Sequence, residues 1–232
     1  MESINFKIDT SELKDLVKAL LSKQFKFEVL TKKNKINFMT ESNQILFSIR
    51  PPLNLPRLIP NLEEWLKLPE IDEYVVLLAR SGIASVGLFK SGKFTHHKVF
   101  RSYLNRKKQG KSQITYLKTK GKSRAGSRVR LENAKTFITN LNTYINKINP
   151  LNRIPLFYFI PVPLLSFWRQ SSTHPPKAIL LHESKTIPLN VKTPGFDEMK
   201  RVNKLLQKAE INFPNKDDYV KLETIFKDLK RE

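Results

Sequence analysis

Tyr74 to Ala79 is almost wholly apolar, and Ile83 to Lys90 follows it between Gly82 and Ser91-Gly92. Apolar runs this short, punctuated by tight Gly turns, read as consecutive antiparallel strands, and Lys93 to Tyr103 reads as a third. From Asn105 to Arg124 the hydrophobic pattern stops, and Lys, Arg, Gly, Ser and Gln take over. Ala134, Phe137, Ile138, Leu141, Tyr144, Ile145 and Ile148 then recur at helical spacing until Pro150, which predicts a long amphipathic helix entered from a basic loop. Ile154 to Val162 and Ala178 to Leu181 read as further buried strands, and Thr193-Pro194 as N-cap and first residue of a helix over 195–209. The expected class is α/β (α+β), a mixed sheet flanked by helices.

The N-terminal third has its own signals. Asp9-Thr10-Ser11-Glu12 is a capping box, after which Leu13, Leu16, Val17, Leu20 and Leu21 share one helical face. Residues 25–30, 35–39 and 44–49 alternate as strands, with Lys32 to Asn34 as the turn between the first two. Pro51, Pro52, Pro56, Pro60 and Pro69 favour an extended linker with at most one short helix around Glu63 to Leu68. A boundary there divides the chain into a small N-terminal α+β extension with its Pro-rich linker, 1–68, and a main domain, 69–232.

Charge separates the same regions. Between Tyr74 and His182 stand twenty Lys and Arg against one acid, Glu132, so this stretch carries about +19 of the net +21. Residues 1–73 hold eleven of each sign, and 183–232 hold eleven basic and nine acidic. Such asymmetry points to a polyanion, first of all nucleic acid. A membrane partner is not expected, because the most apolar stretch, Ile154 to Trp168, is broken by Pro155, Pro161 and Pro163 and falls short of the roughly 20 apolar residues a spanning helix needs. The N-terminus lacks the pattern of a secretion signal, so a cytoplasmic location is expected. With no cysteine in the chain, disulfides and thiolate zinc sites are excluded.

The chemical centre is Arg106 to Arg130, RKKQGKSQITYLKTKGKSRAGSRVR, with ten basic residues and no acid. A Lys-rich loop is often only a solvated tip, but two features set this one apart. Gly110 and Ser112 bracket Lys111 immediately before Gln113, which allows tight turns and close backbone approach to phosphate, with one neutral amide at the end. Arg124-Ala125-Gly126-Ser127-Arg128 stands where the long helix begins, and a helix N-terminus offers free N–H groups to an anion. Arg101, Arg106, Lys107, Lys108, Lys118, Lys120, Lys122, Arg124, Gly126, Ser127, Arg128 and Arg130 are assigned as a group to RNA phosphate contacts. Tyr103 and Tyr116 are candidates for base stacking.

The run SYLNRKKQGKSQ, then KSRAGSRVR and the helix, resembles the release-factor-like domain of the ribosome-quality-control peptidyl-tRNA hydrolases (Vms-type). More distantly it resembles the Gly-Gly-Gln domain of eukaryotic release factors. Lys185-Thr186-Ile187-Pro188-Leu189 and Pro194 to Arg201 are similar to the family's Ile-Pro strand and following basic helix, so the resemblance covers roughly Asp72 to Ala209. The zinc finger, ankyrin repeats and segregase-binding segment of the eukaryotic members are missing, which makes a stand-alone bacterial member the better comparison. The resemblance implies an RNase H-like catalytic fold and, as partners, the large ribosomal subunit and peptidyl-tRNA. Gln113 takes the place of the catalytic Gln, on a turn made by Gly110, Lys111 and Ser112. Gly-Lys-Ser-Gln stands where release factors have Gly-Gly-Gln, so their ester hydrolysis does not simply carry over, and the resemblance implies either a peptidyl-tRNA hydrolase or an endonuclease that cuts near the tRNA 3′ CCA end.

The residues agree with an enzyme that needs no metal or other cofactor, since one carboxylate between Tyr74 and His182 gives two-metal chemistry almost nothing to use. Gln113 cannot titrate, and its work would be to orient a water or a ribose 2′-OH. His96 and His97 are the imidazoles nearest the loop in sequence, but on a strand they point to opposite faces, so at most one can serve it. The rival expectation is a non-catalytic ribosome- or RNA-binding factor occupying the A site. Either would be a monomer when free.

Overall fold

The computed structural model describes residues 3–102, 125–151, 153–169 and 184–220, with backbone alone at 125–128, 130 and 167. The chain divides into two compact units, 1–72 with 203–232, and 73–202.

The first unit is a five-stranded antiparallel sheet in the order β1-β10-β4-β3-β2. Its members are β1 (Ile4–Asp9), β2 (Lys26–Leu30), β3 (Lys35–Met39), β4 (Ile45–Arg50) and β10 (Lys208–Phe213). Helix α1 (Thr10–Ser22) begins where Glu12 accepts the Asp9 N–H at 2.8 Å, completing the capping box read from sequence. Its Leu13, Leu16, Val17 and Leu20 are buried against Ile36, Phe38, Phe47, Ile49, Ile211 and Phe213 of the sheet. Phe38, Phe47 and Phe213 stack across three strands, with centroids 4.8 and 5.0 Å apart. Between β2 and β3, Asn34 adopts φ 49° and its Oδ1 accepts the Leu58 N–H.

Two features of this unit differ from the sequence reading. The proline-rich stretch is no free linker: Leu55, Leu58, Leu62 and Trp65 alternate with the prolines and are buried in the first core. The one short helix there is α2 (Leu62–Lys67), capped by Asn61, whose Oδ1 accepts from the N–H of Glu63 and Glu64. Second, the C-terminal segment lies with the first unit and not with the main domain, because Ala209, Ile211 and Phe213 alternate into its core. The helix expected over 195–209 therefore ends at Leu206, where β10 takes over.

The second unit is a mixed sheet in the order β7-β6-β5-β8-β9. Strands β5 (Glu73–Arg80), β6 (Ile83–Lys90) and β7 (Lys93–Arg101) are antiparallel, and β8 (Leu156–Phe159) and β9 (Lys185–Thr186) join parallel to β5. Gly82 (φ 82°), Ser91 (φ 49°) and Gly92 (φ 72°) make the two hairpin turns. Six successive residues of β5 and six of β6 are buried, as both faces of the sheet are covered. On one face Val75, Leu77, Ala79, Ala84, Val86 and Leu88 meet Phe137, Ile138, Leu141 and Ile145 of α3 (Ala125–Ile148), with Trp168 of α4 (Val162–Arg169). On the other face Tyr74, Phe89, Phe94 and Phe157 cluster, and Phe196, the first residue of α5 (Phe196–Leu206), closes on Phe94 at 5.1 Å. Gly87 lies under this second cluster, where a Cβ would stand 3.0 Å from Phe89 and 3.3 Å from Phe94.

Candidate nucleic-acid interface

Strand β7 is the edge from which the basic segment departs, and α3 is where the described chain resumes. Arg101, the last residue of β7, is exposed. Ser102 is pinned in two ways: its N–H donates to the Gly82 carbonyl at 2.8 Å, and its Oγ donates to the Asn133 carbonyl of α3 at 3.3 Å. Ala125 lies eight residues before Asn133, so the helix continues for about 12 Å beyond this anchor. That extension is exposed at Val129 and Leu131, and among the described side chains of α3 the first buried in the core is Phe137. Gly126, Ser127, Arg128 and Arg130 belong to these leading turns, so the positive end of the helix dipole and its free N–H groups coincide with the small-residue cluster. Gln113, Gly110, Lys111, Ser112, Arg106, Lys107, Lys108, Lys118, Lys120, Lys122 and Arg124 lie outside the described residues, as do Tyr103 and Tyr116.

His96 and His97 sit on opposite faces of β7, opposite Leu88 and Gly87 respectively in the ladder. His96 is exposed. His97 faces the second cluster, 5.6 Å from Phe94 and 5.0 Å from Phe196, and its buried Nε2 has no hydrogen-bond partner among the described residues. Burial there holds its pKa below the ordinary imidazole value. Lys98, on the α3 face, is spent over two rings, 5.1 Å from the Phe100 centroid and 5.3 Å from that of Tyr144.

At the same end of the sheet a second group of polar residues gathers that sequence adjacency gave no reason to connect. Arg80, the last residue of β5, donates to Oδ1 of Asn190 at 3.1 Å, and Arg201 donates to the Asn190 carbonyl at 3.0 Å. Arg201 also bridges both oxygens of Glu198 at 2.7 and 2.8 Å, and the Lys192 N–H donates to Glu198 at 2.8 Å. The hydrogen bonds from Arg201, ahead of its charge, hold the Glu198 carboxyl below its ordinary range. Next to this network a shallow basin of about 580 Å³ is lined by Gly82, Ile83, Arg101, Ser102 and Thr193. The hairpin registers alone place Arg80, Ile83 and Arg101 side by side, which is the signal that could have found them.

Among the described residues no three His, Asp or Glu side chains gather as a metal site, and no helix is long and apolar enough to cross a membrane. Among the described residues, the exposed Arg80 and Arg101 and the free N–H groups at the N-terminus of α3 are groups able to attract an anion.

No curated protein matches this sequence. The solved structure of a "Vms1 mitochondrial localization core" is similar at 13% identity and a TM-score of 0.44, over 86% of this chain and 82% of that one. The family described as Bacteroidetes VLRF1 release factor matches residues 74–213. This span starts at the first buried residue of β5, takes in the whole basic segment and α3, and ends with the last residue of β10. The chain belongs to the Bacteroidetes VLRF1 release factor family.

Proposed function

We propose that this chain frees nascent chains from peptidyl-tRNA on stalled large ribosomal subunits in the cytoplasm, presenting residues 106–130 to the tRNA 3′ end from the A site. Gln113 is the residue that orients the attacking group, on the turn of Gly110, Lys111 and Ser112. The observation that carries this reading is the family match across a segment with ten cations, no acid and Gln113 three residues after Gly110, between β7 and α3 in the sequence. A neutral amide can hold a water or a ribose 2′-OH in line with a bond without changing protonation state. The surrounding Lys and Arg neutralise phosphates of the tRNA and so hold the segment against it. The bond cut is the ester or a phosphodiester near the CCA end. The first leaves an intact tRNA, whereas the second leaves a shortened one.

The deciding experiment incubates stalled large subunits, carrying peptidyl-tRNA labelled near its 3′ end, with the protein or with Gln113→Ala, and resolves the tRNA on a denaturing gel. Release by the wild type and none by the variant, with subunit binding retained in both, supports the assignment. Equal release by both proteins removes Gln113 from the mechanism. Salt-sensitive binding with no release by either makes the protein a binding factor that occupies the A site.

A further inference from the structure

Arg80, Ile83 and Arg101 form one cross-strand row on β5, β6 and β7, so the Arg80 and Arg101 backbones are two strand spacings, about 10 Å, apart. All three lie on the sheet face that α5 covers further along, since their two-residue alternation continues that of Leu78, Ser85 and Val99. The basin beside the row is lined by Gly82, Ile83, Arg101, Ser102 and Thr193, and Arg80 is the ladder partner of its Ile83. Both arginines are exposed, and neither pairs with a carboxylate among the described residues. Glu198, whose carboxylate faces the 190–192 segment, is taken up by Arg201 and the Lys192 N–H.

Arg80 is also pre-oriented. One of its five N–H donors goes to Asn190, which Arg201 holds in turn, and among the described residues the others have no acceptor and can turn to a ligand. A fork held this way loses less conformational freedom on binding than a solvated lysine. The basin is open rather than enclosed, so it suits an extended strand and not a small anion.

We propose that the Arg80–Ile83–Arg101 row is a phosphodiester-binding site that grips the RNA backbone at the root of the basic segment. This rests on the RNA-directed reading under Proposed function and adds to it residues from outside that segment: Arg80, Thr193 and the supporting Asn190.

The test uses the full chain and fluorescently labelled tRNA, with affinity measured from about 50 to 200 mM salt. Variants are Arg101→Ala, Arg80→Ala and their double, with Lys90→Ala/Lys93→Ala as a charge-matched control at the opposite turn of the same strands. For two phosphate contacts, the double variant lowers the log–log salt slope by roughly 1.5 and weakens binding about tenfold or more at low salt, while the control changes the slope by less than half as much. Should Arg80→Ala unfold through loss of the Asn190 bond, Arg101→Glu alone carries the test, because the exposed Arg101 side chain is not part of either core. An unchanged slope, or an equal loss in the Lys90/Lys93 control, overturns the site while leaving the release function standing. Wild-type protein that does not bind tRNA in a salt-dependent way overturns both.

Discussion

Trp168 donates its indole N–H to Oδ1 of Asn142 at 2.7 Å, and both side chains are buried. The bond ties α4 to the middle of α3, beneath the sheet from which the basic segment is presented. Replacing Asn142 by Ala leaves a buried indole N–H without that acceptor, at a cost of about 1–3 kcal/mol. Urea unfolding should show the midpoint fall with the slope unchanged; a midpoint within error of wild type would mean that the bond contributes nothing.

Gly87→Ala should also destabilise, by about 1–3 kcal/mol, because the new Cβ meets the Phe89 and Phe94 rings in a filled cluster. Phe94→Leu in the same background should recover part of that loss by removing the edge of one ring. If thermal melts show no recovery, the clash is not with Phe94.

The pH dependence of stability has a predicted sign at His97. Its folded-state pKa is lowered by burial, so the unfolded chain binds the proton more readily. The neutral form's stabilisation is fully present above the unfolded imidazole value, about 6.5, and is lost as pH falls through the folded value below it. Unfolding free energies measured from pH 7.5 down to about 5 should decline more steeply for the wild type than for His97→Leu. Parallel curves would falsify this.

Polyanion binding should be strongly ionic. If six to ten phosphates are engaged, affinity for tRNA falls about 10³–10⁵-fold between 50 and 200 mM salt. A nearly flat response, measured by fluorescence anisotropy, would show that the charge of residues 74–182 is not used on RNA.

The hairpins of the second unit were readable because Gly82 and Ser91-Gly92 can take positive φ where few residues can, and because α3 repeats its apolar positions at a single period. Strands β2 to β4 were readable by alternation. Strands β1 and β10 are not legible in this way, although Ile4, Phe6 and Ile8 alternate as cleanly as Ala209, Ile211 and Phe213. What makes them strands is mainly each other, across about 200 residues, and local patterns do not carry that information. The proline segment misled for a related reason. Pro51 to Pro60 breaks regular structure, but the leucines between the prolines still find a core. At the site, the segment bearing Gln113 announced itself by composition, whereas Arg80, Asn190 and Thr193 did not, since their proximity depends on strand register and on where the 187–195 segment returns.

The placement of β10 between β1 and β4 sets an order of events during synthesis. The 73–202 unit is contiguous and has all its residues as soon as it emerges, but the sheet begun at Ile4 lacks an inner strand until Phe213 has been made. The earliest strand therefore waits for one of the latest, and a chain interrupted anywhere before residue 208 holds β1 with no neighbour to pair with. In a protein proposed to act on interrupted chains, an interrupted copy of itself would be caught with its own first sheet open.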